Sequence, residues 1–137
     1  MHQSCLCGAA QKLRLRTVVY ARKVKIIRVP VFCCTECGRH EVYAGVKADI
    51  ARLIKRLGSR PEAQTILFDQ MNECAGVLSQ AVGPGDRVLQ PQAVVQAARE
   101  RTNELLDLWL IASSLGDEGW KAELLDRLSQ LRHAYIS

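Results

Sequence analysis

The chain has 137 residues, 48% of them apolar, and a formal net charge of +5. That composition can bury a core and excludes a disordered polyelectrolyte, and no apolar run approaches the roughly 20 residues that span a bilayer. The charge is divided: residues 1–60 hold thirteen Lys and Arg against three acids, a net +10, and residues 61–137 hold six against eleven, a net −5.

Such asymmetry points to two parts with different partners. The basic part suits a polyanion, either nucleic acid or an acidic protein surface. The plainer reading is a solvated surface whose two ends attract each other. The first apolar segment is broken by Arg14 and Arg16, unlike a secretory signal, so the expectation is a soluble, cytoplasmic protein with no membrane partner.

In chain order, Leu13 to Tyr20 alternates and then becomes β-branched, and Val24 to Val29 is similar. The two read as strands joined through Ala21-Arg22-Lys23, a short turn without the Asn-Gly signal of a tight one. Pro30 is expected to end or bend the second strand. From Val46 the period becomes helical. Val46, Ile50, Leu53, Ile54 and Leu57 mark a helix over 46–57 that Gly58 closes. Ser59 and Glu62 form a capping-box pattern with Pro61 inside it, predicting a helix over 61–81 with the stripe Leu67, Met71, Cys74, Leu78 and Ala81. Gly83-Pro84-Gly85-Asp86 reads as a loop. Pro91 opens a helix over 91–115, apolar nearly all round in its second half, and Asp117 caps a last helix over 118–135 with the stripe Trp120, Leu124, Leu128, Leu131 and Tyr135. Short loops between long helices imply an antiparallel bundle.

Five of the six cysteines, Cys5, Cys7, Cys33, Cys34 and Cys37, lie in the first 37 residues, and Cys74 stands apart on a helical stripe. In a reducing compartment closely spaced pairs are metal ligands more often than disulfides. Cys34-Thr35-Glu36-Cys37-Gly38 is a C-x-x-C-G knuckle, whose spacing lets two thiolates face one metal. Zinc prefers four tetrahedral ligands, and a hairpin between residues 13 and 29 would return the chain to Cys5 and Cys7. The expected set is Cys5, Cys7, Cys34 and Cys37, with His2, Cys33 and His40 as rivals to Cys5. Iron–sulfur remains the alternative to zinc. The resulting fold class is α+β: a small N-terminal zinc ribbon over 1–45, a β-hairpin with two cysteine knuckles, followed by a helical domain over 46–137.

Cys7-Gly8, the two strands, Val29-Pro30-Val31 and Cys34-x-x-Cys37-Gly38 resemble the YgiT/MqsA-type zinc finger over about residues 4–42. That family joins two cysteine knuckles by a hairpin, with a Val-Pro-Val-like run before the second. Its first cysteine would fall at Ser4, whereas Cys5 stands one place late. Antitoxin members carry a DNA-binding helix-turn-helix after the finger. Ile50 to Ile66 lacks the Ala-x-x-x-Gly spacing of such a turn, so the antitoxin function is not carried over.

The remaining candidates are basic. Arg14, Arg16, Arg22, Lys23, Lys25 and Arg28 crowd the hairpin, and Arg52, Lys55 and Arg56 share one helix face. They suit phosphates read with little sequence preference, although only 5% of the chain is aromatic and no base-stacking platform stands out. No base, nucleophile or phosphate loop accompanies the cysteines, so a non-enzyme is expected. The leading reading is a zinc-binding regulatory or adaptor protein. Its ribbon would contact nucleic acid or a nucleic-acid-associated protein, and its helices a protein partner or a second copy in a homodimer. The alternatives are a structural protein-interaction module and a thiol redox sensor.

Overall fold

The computed structural model describes residues 2–82 and 89–132. The element order is β1 (His2–Ser4), β2 (Ala10–Tyr20), β3 (Val24–Cys34), β4 (His40–Val42), α1 (Ala44–Leu57), β5 (Gln64–Leu67), α2 (Phe68–Met71), α3 (Glu73–Val82), α4 (Pro91–Leu115) and α5 (Glu118–Leu131). This is an α+β fold, an N-terminal antiparallel sheet bearing a cysteine cluster, followed by helices. No helix among the described residues is long and apolar enough to cross a membrane.

The β2–β3 hairpin runs from Tyr20↔Val24 at its tip to Gln11↔Cys34 at its base. At the tip, Ala21 and Arg22 take φ of 53° and 61°, and the Lys23 amide donates to the Tyr20 carbonyl at 3.1 Å. Those are the φ signs of a type I′ turn, the hand that matches strand twist. Neither residue is one that turn favours, which explains why the sequence gives no tight-turn signal. Left-handed backbone costs an ordinary L-residue about 1–2 kcal/mol. Replacing the exposed pair with Asn-Gly (Ala21→Asn with Arg22→Gly) is therefore expected to stabilise the chain by about 1 kcal/mol, read as a higher denaturant midpoint at unchanged m-value. A lower midpoint would mean that the turn is held by something other than its backbone.

Pro30 neither ends nor bends β3. It sits opposite Leu15, and its carbonyl accepts from Tyr43 at 2.9 Å. A strand residue's nitrogen and carbonyl point to the same side, so the missing N–H falls toward the end of β4, whose pairing covers only Val31 to Cys33. The bend lies two residues earlier. Between Arg16↔Val29 and Val18↔Ile26 the register shifts, setting Ile27 and Arg28 against Thr17 alone. Arg28 takes φ 63°. This bulge turns Arg28 toward the helices: its Nη1 donates to Ser79 Oγ at 2.6 Å, and its Nε lies 3.8 Å from Asp69.

The predicted helix over 61–81 is corrected. Ser59 and Glu62 cap nothing; Gln64–Leu67 forms β5, parallel to Val24–Ile27 of β3. The chain then enters α2 and, after Asn72, α3. The open edge of β3 offers unpaired backbone groups to β-branched Thr65 and Ile66, and that pairing overrides the local capping signal. The predicted stripe shifts accordingly. Leu67 and Met71 are exposed, while Phe68, Cys74, Val77 and Leu78 are buried. Gly76 permits the fold-back, since a Cβ there would stand 2.8 Å from the Asp69 carbonyl oxygen.

Helix α1 spans 44–57, two residues earlier than expected, and α4 spans 91–115 as expected. Gly116 closes α4 in the left-handed conformation. Asp117 caps α5 by accepting from the Trp120 amide at 3.0 Å. The predicted loop at 83–86 and the end of the last helix, with Tyr135, lie outside the described residues. One apolar cluster runs from Leu13, Val24 and Ile26 of the sheet through Val46, Phe68 and Leu78 to Leu105, Leu124 and Leu131. Sheet and helices thus share a core, and β5, which follows α1, returns to pair with β3.

Candidate metal centre

Two turns at the same end of the sheet build the site. Between β1 and β2, the Cys5 amide donates to Ala9 O at 2.8 Å and the Gly8 amide to Cys5 O at 3.0 Å. Gly8 takes φ 95°, which favours glycine. Between β3 and β4, the Cys34 amide donates to Arg39 O at 2.9 Å, and Gly38 takes φ 72°. The first turn closes over Cys5–Ala9 and the second over Cys34–Arg39. The first is one residue shorter, and that is how a C-x-C pair faces the C-x-x-C pair across the sheet. Gln3 on β1 ties the strands together nearby, donating to Gln11 Oε1 at 2.5 Å and Glu41 Oε2 at 3.1 Å.

The register Gln11↔Cys34 brings the two turns together. Cys5 Sγ lies 3.6 Å from Cys37 Sγ, and Cys7 Sγ lies 3.5 Å from Cys34 Sγ. All four ligand atoms fall within 4.8 Å of one another, with Cys5 and Cys34 buried and Cys7 and Cys37 exposed. The four sulfurs are placed to hold one metal ion. A tetrahedron with metal–sulfur bonds of about 2.3 Å has sulfur–sulfur edges of about 3.8 Å, close to the spacing found.

The electrostatics point the same way. The amides of Cys37 and then Glu36 hold the Cys34 thiol down to about 6. The Cys7 amide lowers Cys5. The Ala9 amide pulls Cys7 down too, but the sulfurs of Cys34 and Cys5 sharing the site outweigh it and push Cys7 up to about 12. Backbone N–H groups thus face the sulfurs while the sulfurs crowd one another. A cation bound among them would offset that crowding once the four are deprotonated.

Of the rival ligands, Cys33 and His40 fall elsewhere. Cys33 precedes Cys34 on β3 and points to the opposite face, buried, with His40 Nδ1 3.2 Å from its sulfur. His2 lies on β1. Cys74 is in the core, and burial, followed by the nearby Asp49 charge, pushes its thiol up to about 12.

The basic candidates separate into groups. Arg14 and Arg16 lie on one face of β2, opposite Val31 and Val29. Lys12, opposite Cys33, extends that row; the Lys-x-Arg-x-Arg alternation was the available signal for it. Beside the row a groove of about 380 Å³ is lined by Arg16, Thr17, Val18, Val31 and His40. Arg22 and Lys23 occupy the hairpin tip. Lys25, opposite Val19 and Thr65, faces the other way. Arg28 is tied to Ser79 and Asp69. Arg52, ion-paired with Asp49, lines a separate cleft with Lys55 and Arg56.

Fold and site together define an α+β protein with a four-cysteine centre at one end of its sheet. Compared with family models, curated proteins and solved structures, the chain matches none.

Proposed function

We propose that Cys5, Cys7, Cys34 and Cys37 hold one structural zinc ion, and that the chain is a non-enzymatic regulatory or adaptor protein whose basic sheet face contacts nucleic acid. Four thiolates close the coordination sphere and leave no open position for a substrate. This supports a folding role for the metal, in keeping with the resemblance of residues 4–42 to the YgiT/MqsA-type zinc finger. The observation that carries the nucleic-acid reading is the row Lys12, Arg14 and Arg16, spaced along one face of β2 beside the open groove. Alternate strand residues recur about every 6.8 Å, so the row presents a line of positive charge to a phosphate backbone.

Binding to a labelled oligonucleotide, followed by anisotropy across a salt series, tests this reading. Affinity is expected to fall steeply with salt. Lys12→Gln and Arg16→Gln should each flatten the slope of log K against log[salt] by roughly 0.7–0.9, and Arg28→Gln, whose charge is engaged by Asp69, should leave it unchanged. Binding to neither DNA nor RNA, or binding indifferent to salt, overturns the nucleic-acid reading. A protein contact through the helices is supported by a different feature: Leu106, Leu110, Ile111 and Leu115 of α4 are 44–69% exposed, a large apolar stripe for a solvated helix.

A further inference from the structure

Helix α1 presents Arg52, Lys55 and Arg56 to an open cleft of about 590 Å³. That volume is within the range of small-molecule sites. Met71 of α2, 45% exposed, supplies an apolar surface above the buried Phe68, and Asp49, Asn72 and Gln130 add polar groups. Asp49 neutralises Arg52 and accepts from Asn72 Nδ2 at 2.7 Å. Among the described residues, neither Lys55 nor Arg56 has an ion-pair partner. The cleft therefore carries two uncompensated cations beside an exposed methionine. Asp49 keeps lone pairs to accept from a ligand, since a carboxylate offers about four acceptor sites.

We propose that this cleft binds an organic phosphate. Lys55 and Arg56 take the phosphate group, the organic body lies over Met71, and Asp49 receives its hydrogen-bond donors. The site lies on α1, α2 and α5, so it stands or falls independently of nucleic-acid binding by the sheet.

Calorimetric titration of the full chain with adenosine monophosphate, a hexose monophosphate, inorganic phosphate and adenosine tests the assignment. Either or both organic phosphates should bind at least about tenfold more tightly than inorganic phosphate or adenosine. Lys55→Ala and Arg56→Ala should each weaken that binding about tenfold, the size of one charge-assisted contact. Met71→Ala should weaken the organic phosphate and leave inorganic phosphate unchanged, and Arg99→Gln on α4, outside the cleft lining, should alter neither. The proposal is overturned by no organic-phosphate binding at about 10 mM, a concentration that detects dissociation constants into the millimolar range. It is equally overturned by binding unchanged in the Lys55 and Arg56 variants, or by inorganic phosphate or adenosine binding as tightly. Lost thermal stability in those variants without phosphate binding to the parent chain would assign the two cations to offsetting the carbonyl end of α1.

Discussion

Stripping the metal from the folded chain with a chelator is expected to unfold sheet and helices in a single transition. The site joins the β1–β2 turn to the β3–β4 turn. Strand β3 in turn carries β5, and Arg28 of its bulge reaches Ser79 of α3. The apolar cluster is continuous from Leu13 to Leu131. Structural zinc contributes about 10–16 kcal/mol in small zinc domains, as much as the roughly 5–15 kcal/mol by which a whole domain is stable. No part of the fold is then left to stand alone. Both tryptophans lie in the helices, Trp109 on α4 and Trp120 on α5, so their fluorescence reports the part farthest along the chain from the cysteines. Tryptophan emission and far-ultraviolet dichroism should change together on chelation. Native-like tryptophan emission after the metal has left would contradict the shared core. Acid should act in the same direction, because each thiol must lose its proton to bind metal and the thiolate regains it as pH falls.

Phe68→Ala is expected to cost about 3–5 kcal/mol, whereas Leu67→Ala, one residue earlier, should cost about 1 kcal/mol or less. Phe68 is 1% exposed and Leu67 is 41% exposed. The contrast comes from the junction itself: Leu67 ends β5 and Phe68 begins α2. In a continuous helix over 61–81 the order would reverse, since Leu67 would sit on the buried stripe with Cys74 and Leu78 while Phe68 turned away. Urea midpoints of the two variants therefore test the architecture as well as the packing. Equal losses, or a larger loss at Leu67, would contradict the β5–α2 junction.

The parts of the fold legible in the sequence are those whose signals are local. Period-two alternation located β2 and β3; helical periodicity, Pro91 and Gly116 bounded α4; Asp117 marked the start of α5. The knuckle at Cys34–Cys37 was legible because its spacing and its glycine are geometric requirements of the turn. What was not legible depends on distant partners. Thr65 and Ile66 become a strand only because β3 has an open edge beside them, and the Ser59–Glu62 pattern gives no warning of it. The bulge at Arg28 leaves no mark in composition, since its left-handed residue is not a glycine. Nor does charge counting reveal that Arg28 and Arg52 are engaged by Asp69 and Asp49. The shorter first knuckle becomes intelligible once the closure from Cys5 to Ala9 is seen beside that from Cys34 to Arg39.

Metal content per chain is the most direct test of the central claim, measured by elemental analysis on the purified protein and on Cys5→Ser, Cys34→Ser and Cys33→Ser. About one zinc per chain is expected, with tetrahedral sulfur ligation at about 2.3 Å. It should be lost in the first two variants and retained in Cys33→Ser, whose sulfur faces His40 rather than the cluster. Metal-free folded protein, metal retained in Cys5→Ser, or metal lost in Cys33→Ser would contradict the four-cysteine site.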